Sequence, residues 1–167
     1  WTSGLGSLKI ECTDDYPIIF IDSNASYANG SGAGVITWSV KDGSGDYCNT
    51  ASVRSLIDNT PSNDSAPGRL EFMTTTSGTS PTTKMTIDSL GNLGLGIAAV
   101  PQDSGSRTLH VHSTETGSNA RSALRLTHGS TGSAASNGGF LGMDNNPDLY
   151  LYNQENGNLR FGTNGNE

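Results

Sequence analysis

The sequence has little of most features that mark a function. Cysteine occurs only as Cys12 and Cys48. That is too sparse for the disulfide framework of a small secreted scaffold, so both are expected as free, packed thiols. Charged residues make up 15% of the chain, and 9 Lys and Arg against 16 Asp and Glu leave a net charge of −7. With no basic cluster and an acidic balance, nucleic acid is excluded as a partner. No apolar run reaches the ~18 residues that a membrane-spanning helix needs, so no membrane insertion is expected. The glycines keep no three-residue period, which excludes collagen. No Gly-rich phosphate loop, G-x-S-x-G elbow or zinc-spaced Cys/His cluster is present. Helical periodicity is nearly missing. Its best instance, 51–58, puts Val53, Leu56 and Ile57 at helical spacing over barely two turns.

Large apolar residues are scarce too. Leu, Ile, Val and Phe total 31 of 167, whereas Gly, Ser, Thr and Asn total 77. The first figure sits just under the ~20% level at which folding becomes doubtful. The length suits one domain or two small ones. The chain opens at Trp1 without a charged segment leading into an apolar one, so a signal peptide is absent or removed. It ends in polar turn chemistry at 164–167, which reads as a fragment of a longer protein. Three Asn-x-Ser triplets, at Asn24, Asn29 and Asn63, are expected by chance in a chain this rich in Asn and Ser.

What is abundant is period-two alternation, the mark of half-buried strands. It recurs at 8–10, 17–22, 34–40, 69–74, 84–88 and 92–97. In the second half it returns at 108–113, 123–128, 139–144, 148–153 and 158–163. The fold class expected is therefore all-β, built from short-stranded, repeated β-hairpin units. Residues 89–96 align with 155–162, and each is a turn bearing Gly and Asn between short alternating strands. Asn156-Gly157 is the stronger turn signal, because a type I′ turn needs positive φ at both central residues. The expected organisation is a first β unit over 1–97 with a loop insertion at about 42–68, a connector at 98–107 and a shorter β unit over 108–167. Burial contributes about 25 cal/mol per Å² of apolar surface, against roughly 1.5 kcal/mol per residue for ordering the chain. A monomer this poor in large apolar residues would sit near zero stability. Contacts with further copies would supply the shortfall and cover strand edges.

The segment Lys84-Met85-Thr86-Ile87-Asp88-Ser89-Leu90-Gly91-Asn92-Leu93-Gly94-Leu95-Gly96-Ile97 resembles the M-x-I-D-x-x-G-N-[LV]-G-[IL]-G phrase of bacteriophage tail fibres and tailspikes. Pro101 and Leu109-His110-Val111 resemble the proline and the L-x-V strand that come after the phrase in that family. Gly68-Arg69-Leu70-Glu71-Phe72 resembles the G-x-L-x-F opener before it. The likeness is good over 68–111 and weak over 139–167. After Gly96 the chain departs, with Ile97-Ala98-Ala99-Val100 where the family has G-T before the proline. The resemblance implies an intertwined homotrimeric fibre, β-prism or β-helix-like. It also implies a shaft or receptor-binding segment of the kind found upstream of a C-terminal intramolecular chaperone.

His110 and His112 flank Val111, so on a strand both imidazoles share a side. In a trimer three such pairs near the axis would offer six nitrogens to a transition metal. The alternative is that Leu109 and Val111 take the core face and both histidines meet solvent; no other cofactor is expected. His128 reads as a surface residue. The acid pairs Asp14/Asp15 and Asp144/Asp148 would serve glycoside hydrolysis only if placed about 5–9.5 Å apart across a cleft. Loop Asp is more often a turn residue. Tyr150 and Tyr152 alternate with Leu149 and Leu151, so leucines in a core would leave both phenols exposed together. Such a pair can stack on a sugar face and hydrogen-bond its hydroxyls, or serve subunit packing instead. Trp38 and Tyr47 complete the ligand-binding candidates, although core packing is the default for Trp38.

The expectation is a non-enzymatic structural or receptor-binding segment of a phage tail fibre. Its partners are its own copies as a homotrimer and a host cell-surface glycan or protein receptor. Its place is the virion, extracellular after assembly in the host cytoplasm. The alternatives are a polysaccharide-degrading tailspike fragment and a monomeric carbohydrate-binding β-sandwich module.

Overall fold

The computed structural model describes residues 21, 28–77, 80–101, 106–118, 120–134, 137–146 and 148–162. Among these the chain is all-β, with no helix. A six-stranded sheet runs in chain order through β1 (Gly32–Lys41), β2 (Tyr47–Ile57), β3 (Gly68–Thr74), β4 (Thr82–Ile87), β5 (Leu93–Leu95) and β6 (Leu109–Val111). A three-stranded sheet comes after it, with β7 (Ser122–Leu126), β8 (Gly139–Met143) and β9 (Leu149–Asn153). All neighbours pair antiparallel except β5 and β6, which pair parallel. The expected strands at 8–10 and most of 17–22, the pair Asp14/Asp15 and Cys12 lie outside the described residues. Cys48 is a free thiol, half-buried, with Sγ 3.7 Å from Asp42 Oδ2.

Three sequence expectations need correction. First, 42–68 is not simply a loop, because Tyr47–Ile57 is a long strand hydrogen-bonded on both sides. Val53, Leu56 and Ile57 fit helical spacing, but β1 and β3 satisfy the backbone of β2 laterally, which a two-turn helix could not match. Second, β6 joins the first sheet, so the sheet boundary falls after Val111 and not at 98–107. Third, no strand forms over the described part of 158–163. Asn153 Nδ2 donates to Gly157 O at 3.2 Å, and residues 158–162 belong to neither sheet.

The phrase at 84–97 explains itself physically. Asp88 Oδ1 accepts from the backbone N–H of Leu90 at 3.0 Å and of Asn92 at 2.8 Å, which closes the β4–β5 turn. Gly91 sits at φ 82°, where side chains are disfavoured. The buried Asn92 side chain donates to Asp88 Oδ2 at 2.9 Å and accepts from the Thr108 N–H at 2.7 Å, tying the turn to the start of β6. A Cβ at position 94 would lie 2.7 Å from Val100 Cγ2 and 2.9 Å from Ile97 Cγ2. Glycine there lets 97–100 cross over β5 and bury Val100. Thr86 Oγ1 donates toward the carbonyls of Ile97 and Ala98, holding the same crossing.

Register sorts the side chains of the first sheet into two faces. Ile36, Trp38, Val53, Leu70, Phe72, Met85, Ile87, Leu93, Leu95, Leu109 and Val111 share one. Arg54, Glu71, Thr86, Gly94 and His110 share the other. The burial is inverted. Among the described residues the buried hydrophobic side chains are Leu56, Ile57, Val100 and Phe140, fewer than the buried polar ones, Ser52, Glu71, Thr86, Asp88 and Asn92. On the apolar face Ile36, Trp38, Leu70, Ile87, Leu95 and Leu109 are exposed. The polar face is knitted internally. Glu71 receives Arg54 Nε at 2.8 Å, Arg69 Nε at 2.9 Å and the Thr83 hydroxyl at 3.0 Å, and Arg69 reaches Asp58 at 3.3 Å.

Candidate aromatic binding cleft

The second sheet repeats the two-faced design with a different outer face. Its rows are Ser122–Met143–Leu149, Ala123–Gly142–Tyr150, Leu124–Leu141–Leu151, Arg125–Phe140–Tyr152 and Leu126–Gly139–Asn153. Strand alternation therefore puts Leu124, Leu126, Leu141, Met143, Leu149 and Leu151 on one face, all exposed. The opposite face carries Arg125, Phe140, Tyr150 and Tyr152.

Phe140 is the floor of this aromatic face, 6% exposed. Tyr150 meets it edge-on, with ring centroids 5.5 Å apart and planes at 80°, and Tyr152 lies tilted against it at 5.7 Å. Arg125 stands over the Phe140 ring with its guanidinium carbon 5.0 Å from the centroid. It also donates to the carbonyls of Ala134 and Asn137, at 3.2 and 3.4 Å. A cation fixed over the ring and edge-on packing both stabilise the cluster beyond simple area burial. An open cleft of about 360 Å³ lies against Tyr150, Tyr152 and Phe140, rimmed by Ser118, Arg121, Asp144, Asn145 and Gln154.

Local chemistry places the rim. Asp144 Oδ1 accepts from the N–H of Asn146 at 2.9 Å and of Asp148 at 3.3 Å, closing the β8–β9 turn. The Glu155 carboxylate accepts from the Gly138 N–H at 2.7 Å, and the Gln154 N–H donates to Gly138 O at 3.0 Å, so the chain after Tyr152 is pinned back onto β8. Arg121 makes no ion pair or hydrogen bond among the described residues, nor do the hydroxyls of Tyr150 and Tyr152.

Of the four aromatic candidates read from the sequence, the structure brings together Tyr150 and Tyr152, with Tyr152 53% exposed and Tyr150 half-buried. Trp38 and Tyr47 lie in the other sheet. Trp38 is 53% exposed on its apolar face, not in a core, and Tyr47 is 74% exposed with Lys41 Nζ 5.4 Å from its ring. His110 and His112 do stand together, ring centroids 5.7 Å apart. His110 shares the polar face with Gly94 and Thr86, opposite Leu109 and Val111. No group of three or more metal-binding side chains forms among the described residues. His128 is exposed and its Nδ1 accepts from the Ser130 N–H in a turn. Sequence reasoning missed Phe140, Arg121 and Gln154. Phe140 was reachable from the alternation of 139–144, whereas Arg121 and Gln154 carry no local signal. No protein-family model and no curated protein matches the chain.

Proposed function

We propose that the chain is a structural and receptor-binding segment of a bacteriophage tail fibre, assembled as an intertwined homotrimer of β-prism or β-helix kind. It works by attachment to a host cell-surface glycan or protein, not by catalysis. The observation that carries this reading is the inverted burial. Both sheets expose a continuous apolar face, while the first keeps its polar face satisfied within the chain. Each large apolar side chain withdrawn from water contributes about 1.5–3 kcal/mol, so faces of this size gain most by closing on further copies. The likeness of 84–97 to the tail-fibre phrase supports the choice of assembly. Three copies would multiply weak receptor contacts through effective concentration, and a trimer would carry three times −7, or −21, which favours solubility.

A monomeric β-sandwich would bury the leucines of one sheet against the apolar face of the other, and here both stand open. A polysaccharide-cleaving site needs two carboxylates across the cleft, and among the described residues only Asp144 lines this one. The first test is absolute mass by light scattering behind a sizing column. A mass near three times 17.3 kDa supports the fibre, and a stable monomer overturns it. Release of reducing ends from host glycan would move the assignment to a degrading tailspike.

A further inference from the structure

We infer that the cleft on β8 and β9 is a glycan subsite for neutral hexose units, with Tyr152 as the stacking platform; the inference rests on the attachment reading for its class of ligand. Alternation along β9 separates two tasks. Leu149 and Leu151 turn to the apolar face, so closing that face against another copy leaves Tyr150 and Tyr152 uncovered on the other side. A pyranose ring presents an apolar patch of C–H groups and a circumference of hydroxyls, each both donor and acceptor. The cleft offers the matching pair of surfaces: an aromatic wall rigidified by Phe140 and a mixed polar rim.

The state of the rim separates this site from the polar face of the first sheet. There Arg54, Arg69, Glu71, Asp58, Asp88 and Asn92 satisfy one another. Around the cleft, no described residue hydrogen-bonds or ion-pairs with Arg121, the two phenols or the second oxygen of Asp144. One cation and one anion make the rim electrically balanced, and neither is neutralised by an ion pair among the described residues. An acidic sugar would meet Asp144 and a chain of net −7; a neutral sugar uses Arg121 as donor and Asp144 as acceptor without repulsion. At about 360 Å³ the cleft lies toward the small end of ligand pockets, roughly 300–1,000 Å³, which suits a short stretch of a glycan.

The test is calorimetric titration of the full chain with α- and β-linked gluco-, galacto- and mannotrioses, and with oligogalacturonate as the acidic arm. The expected result is binding of at least one neutral triose. Tyr152→Ala should weaken it about tenfold or more, whereas Tyr152→Phe, which keeps the ring, and Tyr47→Ala in the other sheet should largely preserve it. Circular dichroism and sizing of each variant confirm an unchanged fold. Binding that survives Tyr152→Ala, binding confined to oligogalacturonate, or no binding to any probe overturns the inference. Triose binding by a chain that runs at the monomer mass would keep the subsite and remove the trimer, so the two readings fail separately.

Discussion

Glu71 is 1% exposed and charged, a position that sequence statistics would assign to an apolar side chain. Burial pushes its carboxyl up, but hydrogen bonds from Arg54, Arg69 and Thr83 together with the Arg54 charge outweigh that and hold it below the ordinary carboxylate value. A carboxyl lowered on folding contributes stability above its unfolded pKa and loses it as pH falls through the folded one. The urea midpoint should therefore be level near neutrality and drop once the pH passes below the ordinary glutamate range, about 4.3. Glu71→Gln should remove much of that acid sensitivity and cost roughly 2–3 kcal/mol at pH 7, because Arg54 and Arg69 lose their charged acceptor. An acid profile unchanged by the substitution would show that other carboxylates dominate.

At the scale of elements, the β4–β5 turn shows how a few residues join two strands to a third. Asn92 is 1% exposed and spans Asp88 and the Thr108 N–H. Asn92→Ala removes the bond to Asp88 Oδ2 and leaves the Thr108 N–H without its side-chain acceptor, at a cost of about 1–3 kcal/mol. Amide hydrogen exchange at Thr108 should accelerate while that of β2 and β3 changes little; equal acceleration throughout would mean that the turn is not a local tie. Gly94→Val should displace Val100 and the 97–100 crossing at about 1–3 kcal/mol, since Cβ alone already meets two side chains. The aligned segment 155–162 shows what the motif needs. It has Gly157 and an alternating Leu159 and Phe161, but Gln154 stands where the first segment has the turn-closing Asp88, and among the described residues 158–162 form no strand. Phe161 is left exposed.

For the whole molecule the decisive quantity is what covers the apolar faces. A lysine at the centre of either would have to be desolvated in any closed assembly. If the proposed trimer closes on these faces, Leu95→Lys and Leu141→Lys should each lower the mass seen by light scattering toward 17.3 kDa, while Leu90→Lys, at the exposed β4–β5 turn, should not. If the wild-type chain is trimeric and both face variants remain so, the interface lies elsewhere, on sheet edges or in segments outside the described residues.

Alternation along the chain was enough to settle the all-β class and the positions of most strands, because period two is a direct consequence of strand geometry. For the same reason it set Tyr150 and Tyr152 opposite Leu149 and Leu151. Long-range contacts decided the rest. Whether 51–58 became strand or helix depended on neighbours on both sides. Glu71 was acceptable as a buried charge only because Arg54 and Arg69, from β2 and β3, arrived beside it. Phe140, Arg121 and Gln154 came to line one cleft only when β8, β9 and the residues before β7 came together. Alternation is a local property and is written along the chain; which faces meet, and which charges find partners, is set by contacts between residues far apart in sequence.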